Sequence, residues 1–343
     1  MNNPNENQHF VSKVLLERFK ISGSPLQCFQ VRTGRWMPKS PENACSSLGY
    51  NQLLRSGQAQ PDNDLEADFS AVESRLPKVF KALEEAAKNS TTELPTDIYK
   101  DMCKYCAFLK LTAPYSKPGA VVSFVIQVNM ELEKGGNFLS RDLRLPKDQI
   151  DFLRKEYALG RRVIIESENA LQSFYKFQFQ RNRDPDYDLF SKAHWTVFNS
   201  PVELPISDVG LVPIGFADLK LTVYLLPISP KLLLKGLLYF DLTKNSSQPI
   251  VKGLKLPTDD AEYVFDCICS SAIVEIVCSK INPDVPTGIS RAKTKGIRFH
   301  KVPNLENIMS AGLKNISNDF QFRVVSLEEY KTFVHSFMQP AQT

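Results

Sequence analysis

A chain of 343 residues, 43% of them hydrophobic and 23% charged, is long enough to bury a substantial core and has the make-up of a soluble globular protein. Its formal charge of +4 is too mild to announce a polyanion partner on its own. No segment approaches the roughly 20 uninterrupted apolar residues that span a bilayer. The longest apolar candidate, Val121 to Val128, stops at Asn129 and Glu131. The opening Met1-Asn2-Asn3-Pro4-Asn5-Glu6 lacks the basic start and apolar run of a signal peptide. Seven irregularly spaced cysteines suit free thiols better than a secreted disulfide framework, so the cytoplasm is the expected location.

In chain order, Ser12 reads as the N-cap of a first helix running to about Phe19. Leu26 to Val31 and Trp36 flank Thr33-Gly34 as a hairpin. A polar linker, Ser56 to Asp62, precedes a helical period from Asp62 to Lys88, with a kink expected at Pro77. Helices follow at Thr96 to Leu111, Pro118 to Glu133, Pro146 to Tyr157 and, rich in aromatic residues, Asn169 to Arg181. Cys103 and Cys106 form a CxxC with no second pair to complete a zinc site, so core packing is their simplest reading.

From His194 the texture changes to short apolar runs broken by Pro, Gly and Ser, at His194 to Phe198, Leu219 to Leu226 and Leu232 to Asp241. A long apolar helix is expected at Asp259 to Ser279, then a strand at Phe320 to Val325. A helix at Leu327 to Phe337 is entered from Ser326, with Glu329 completing a capping box. The expected fold class is α+β, with a helical N-terminal half carrying a small hairpin and a mixed β/α C-terminal half. Residues 8–280 form one domain in this reading, helical over 8–190 and β-rich over 191–280. Residues 281–343 supply a basic loop, a strand and a helix packed on it.

The segment His9-Phe10-Val11-Ser12 with Arg18-Phe19 resembles the start of domain-of-unknown-function family 4238, a mostly prokaryotic and uncharacterised family. The hairpin around Gly34, the helix bearing Glu66 and Glu73, the turn Ile206-Ser207-Asp208-Val209-Gly210 and the run Pro227-Ile228-Ser229-Pro230 extend the resemblance in order. Ser12 stands where the family has proline, and Val209-Gly210 where it has Asn-Pro. The resemblance implies a shared fold and a shared site, but supplies no reaction.

Glu66 and Glu73 lie two helical turns apart on one face, about 10 Å along the axis. With His9 and Asp208 they make one imidazole and three carboxylates, a hard-ligand set for Mg²⁺ or Mn²⁺ with His9, Glu66 and Asp208 as metal ligands, and hence for phosphodiester hydrolysis. Asp208 with Asp218 and Lys220 also copies the Asp…Asp-x-Lys spacing of a nuclease core. The competing reading is structural: solvated glutamates, a capping histidine, an aspartate holding a turn. Arg181 and Arg183 among aromatics, and Arg291, Lys293, Lys295 and Arg298 in a basic loop, are the residues that could contact nucleic acid. The sequence therefore points to a metal-dependent nuclease or toxin-like effector of the bacterial cytoplasm. Its rival is a non-catalytic binding or sensor subunit that docks a protein or polyanion.

Overall fold

The computed structural model describes residues 7–48, 64–113, 116–135, 137, 139–140, 145–165, 189–216, 219–239, 241, 249–294 and 322–338. The chain opens with β1 (Asn7–His9), the short helix α1 (Lys13–Leu16) continued by a 3₁₀ turn at Glu17–Phe19, and the strands β2 (Leu26–Gln30), β3 (Arg35–Lys39) and β4 (Ser46–Leu48). Helices α2 (Asp64–Glu73) and α3 (Leu76–Ala86), the two-residue strand β5 (Thr92–Glu93) and helices α4 (Thr96–Thr112), α5 (Ser116–Lys134) and α6 (Lys147–Ala158) come next. Strands β6 (Arg162–Ile165), β7 (His194–Asn199), β8 (Ile206–Ser207), β9 (Val212–Phe216), β10 (Leu221–Ser229), β11 (Leu232–Tyr239) and β12 (Ile250–Lys255) lead to α7 (Thr258–Ser271). The last elements are β13 (Glu275–Cys278), α8 (Asp284–Thr294), β14 (Phe322–Val325) and α9 (Leu327–Met338).

The chain divides into two compact units, one of residues 1–51, 64–114 and 183–300, the other of 52–63, 115–182 and 301–343. The first holds a six-stranded sheet in the order β5-β12-β7-β11-β10-β9 and a four-stranded sheet in the order β3-β2-β13-β8. Only the β12–β7 pairing in these sheets is parallel. Phe29, Val212, Ile214, Val223, Leu225 and Leu233 from the sheets meet Val264, Phe265 and Ile268 of α7 in one core. The middle of β10 is buried residue after residue, as expected of a strand covered on both faces. Gly236 leaves room for the Trp195 ring, which a Cβ there would meet at 2.7 Å.

In the second unit, Phe124, Val125 and Val128 of α5 pack with Ile150 and Leu153 of α6, Val163 and Ile164 of β6, and Val325. Asn129, which interrupts the apolar run of α5, is buried and bonded on both sides. Its Nδ2 donates to the carbonyls of Val125 and Val163, each at 2.8 Å, and its Oδ1 accepts from the Val163 amide at 3.0 Å. Ser326 caps α9 by accepting from the Glu329 amide at 3.1 Å.

An α+β composition is present, but the helical N-terminal half is not: five strands precede residue 94 and helices are scattered through the chain. The reason is pairing at long range. Strands of two to five residues carry little periodicity, and the partners of β2 and β5 are β13 and β12, far along the chain. The helix expected over Asp259 to Ser279 stops at Ser271, where Ala272 turns to an extended backbone. The β-branched run that follows becomes β13, wholly buried between β2 and β8. Near Pro77 the long helix is split rather than kinked, with Pro77 in the first turn of α3. Arg291 and Lys293 belong to α8 rather than to a loop, whereas Lys295, Arg298, the linker 56–62 and the aromatic segment 169–181 lie outside the described residues.

Candidate functional site

His9 ends β1, paired with Ser46 of β4, and the chain turns at once into α1. Ser12 makes that turn: its Oγ accepts from the Leu15 amide at 3.3 Å and shares a 2.8 Å hydrogen bond with the Tyr105 hydroxyl on α4. Thr112 of α4 donates to the carbonyls of Phe10, at 3.0 Å, and Phe108, at 2.9 Å. The segment from His9 to Ser12 is thereby stitched along α4. Between it and the end of α2 opens a cleft of ≈ 30 Å³, whose lining includes the polar residues His9, Ser12, Glu73, Tyr105 and Thr112 and the aromatic residues Phe69 and Phe108. That volume admits a water molecule or two.

The His9 imidazole is the unusual member. Burial lowers its pKa from 6.5, against a hydrogen bond to the Ala44 backbone that raises it, so the ring is neutral at neutral pH. Its Nδ1 is buried without a hydrogen-bond partner. Burial likewise raises the Tyr105 hydroxyl pKa. The cleft is thus lined by a neutral base, a half-buried carboxylate and three hydroxyl side chains.

Asp208 does not join them. It is fully buried, and its two carboxylate oxygens accept from the amides of Ile273, at 3.0 Å, and Val274, at 2.7 Å. Burial outweighs these bonds and pushes its pKa up to about 7. Ser207 beside it is also occupied, at 2.9 Å from the Ser271 hydroxyl. The turn ends at Gly210, whose φ of +67° suits glycine and whose backbone lies close against Leu109 and Val11. Its neighbour in the sheet, Glu275, is 2% exposed and accepts from the Cys45 amide at 2.5 Å, Gln30 Nε2 at 2.7 Å and Lys39 Nζ at 2.5 Å.

Other expected site residues are scattered or committed. The side chain of Glu66 on α2, all of Asp218, and Arg181, Arg183, Lys295 and Arg298 lie outside the described residues. Lys220 is exposed in the turn before β10, with a φ of +49°. Arg291 forms a forked pair with the wholly buried Asp266, with bonds of 2.7 to 3.1 Å, while Lys293 is exposed. Arg18 donates to the Ile228 carbonyl at 2.6 Å and to Glu84 at 2.5 Å, tying the first helix to the Pro227–Pro230 run. Among the described residues, no group of three His, Cys, Asp or Glu side chains is placed to hold a metal ion. All seven cysteines are buried and unbridged, and burial pushes the Cys28 and Cys103 thiols up to about 12.

Residues 7–130 match the model of the family described as Protein of unknown function (DUF4238). The match contains His9 to Ser12, Arg18-Phe19, the hairpin, Glu66 and Glu73; the Asp208 turn and the Pro227–Pro230 run lie beyond it. No curated protein and no solved structure matches the chain. Among the described residues, no helix is long and apolar enough to cross a membrane. Sequence reasoning missed Tyr105 and Glu275. The signal for Glu275 was present, since one charge in the apolar run Ala272 to Cys278 points to a buried, partnered carboxylate.

Proposed function

We propose that the chain is a hydrolase acting on nucleic acid, with its chemistry in the His9–Glu73 cleft. His9 is the general base in this reading: a neutral imidazole lining the cleft takes a proton from water as it attacks a phosphodiester. Glu73 would hold Mg²⁺ or Mn²⁺ alongside waters and phosphate oxygens. Such a cation supplies charge stabilisation at the phosphoryl group. Lys220 and Lys293 are exposed cations that suit a phosphate backbone. Directed at cellular DNA or RNA, this activity would make the chain a toxin-like effector of the bacterial cytoplasm.

The observation that carries the reading is the His9 imidazole, with one buried nitrogen that no protein group meets, lining one cleft with Glu73. Labelled DNA, RNA and transfer RNA incubated with the protein and Mg²⁺ or Mn²⁺ test it. Cleavage is expected to need the cation and to fall about 10²- to 10⁴-fold in His9→Ala and Glu73→Gln while circular dichroism is unchanged. The acid limb of the pH–rate profile is expected below pH 6.5, the direction in which burial moves His9. Absence of cleavage, or its survival in both variants, favours the second reading, a non-catalytic subunit that docks a protein or polyanion. The structural partners of Ser12, Arg18, Asp208 and Arg291 support that alternative.

A further inference from the structure

The six-stranded sheet is closed on one face and half open on the other. On the closed face the Trp195 ring lies on Gly236, and the carbonyls of Ala86 and Asn89, at the end of α3, stand 2.2 and 2.1 Å from where a Cβ on Gly253 would sit. The other face begins in the core, where Phe198 and Leu233 share a cluster with Val264 and Phe265 of α7. The register then sets Lys252 of β12, Thr196 of β7 and Lys235 of β11 side by side on that same face. There the cover thins: Lys252 and Leu254 are exposed, while Thr196, His194, Lys235 and Tyr239 are half-buried. Strands about 4.8 Å apart put the two lysine stems about 10 Å from each other. Lys235 Nζ lies 5.6 Å from the centre of the Phe198 ring, and the His194 and Tyr239 rings meet edge to face with centres 6.0 Å apart. Against Lys235, Lys252 and Lys255, the six strands carry a single carboxylate, Glu93 on the edge strand β5. Among the described residues, neither Lys235 nor Lys252 is paired with a carboxylate.

We propose that this open face binds a single strand of nucleic acid, with Lys235 and Lys252 on its phosphates and the rings of Tyr239 and His194 against its bases. Lysines without a counter-charge attract a polyanion, and release of its counterions supplies the affinity. Rings beside them offer surfaces on which successive bases stack. A sheet face carrying both suits an unpaired strand, because the bases of a duplex are already stacked on one another and do not reach it. An acidic peptide would satisfy the lysines but leave the rings and Leu254 unmatched. The proposal rests on the reading of the chain as acting on nucleic acid and names the single strand as the form engaged; it asks nothing of His9 as a base.

Fluorescence anisotropy of the full chain with labelled DNA and RNA single strands of about 12 nucleotides tests the proposal, with EDTA present to prevent cleavage. Binding is expected, and it should weaken as salt rises. Lys235→Gln and Lys252→Gln should each lower the slope of log affinity against log salt by about 1. Tyr239→Leu should weaken binding about 5- to 100-fold at an unchanged slope. Lys255→Gln, beside Asn199 on the closed face, should bind as the wild type does. Circular dichroism checks the fold of each variant. Lys252 is exposed, so Lys252→Glu stands in for any variant that does not fold, and should weaken binding more than Lys252→Gln does. No binding, equally tight binding of a duplex or of a poly-glutamate peptide, or unchanged affinity in the folded lysine variants overturns the proposal. Absence of cleavage alongside the expected binding removes the hydrolase reading and leaves the proposal, whereas cleavage that persists while the lysine variants bind unchanged does the reverse.

Discussion

The cleft at His9 and the sealed carboxylates of Asp208 and Glu275 draw on the same acidic and amide chemistry, and the fold treats them in opposite ways. Behind the cleft, Asp208 and Glu275 are shut off from solvent, with backbone amides and side chains meeting their oxygens. The imidazole that lines the cleft keeps a buried nitrogen without a partner. Buried polar groups are nearly always satisfied, so an exception beside a cleft calls for an explanation. A carboxylate in a sequence motif is thus poor evidence of chemistry until its acceptor capacity has been accounted for.

Substitutions should separate the two regions, and Asp208→Ala has the largest expected effect. Removing both acceptors strands the Ile273 and Val274 amides and should cost about 3 kcal/mol in urea unfolding. Loss of cleavage with unchanged stability in that variant would break the comparison. Next is a pH effect on the same group. Burial raises the Asp208 pKa from 3.8 to about 7 in the folded chain, so the native state keeps a proton that the unfolded chain has lost. Its contribution to stability is complete below about pH 4 and disappears as the pH climbs through about 7. The melting temperature is expected to fall across that window in the wild type, and less so in Asp208→Asn. Smallest is Tyr105→Phe, which removes the hydroxyl partner of Ser12 and should cost about 1 kcal/mol by thermal unfolding.

Local signals were legible in the sequence and distant ones were not. The Ser12 cap, the hairpin at Gly34, helix α4 and strand β7 follow from capping, turn and periodicity rules that act within a few residues. Residues 275–278 were misread because an apolar run of that length fits a helix or a strand equally well. The decision lies with β2, some 245 residues earlier by the separation of Gln30 and Glu275. The site behaved similarly. His9 and Glu73 stood out as residue types, but the fate of Asp208 depended on two amides that turn toward it only after α7 ends at Ser271.

The place of β2, between its hairpin partner and β13, bears on how the chain can be made and cut. During synthesis the first hairpin leaves the ribosome with one edge bare and must wait for residue 278 before its sheet can close. A protein truncated to residues 7–130 would keep the stretch that matches the family and lose the strands that cover β2 and β5, leaving open edges that invite aggregation. The stretch that carries the likeness is therefore not a part that can be lifted out and studied alone.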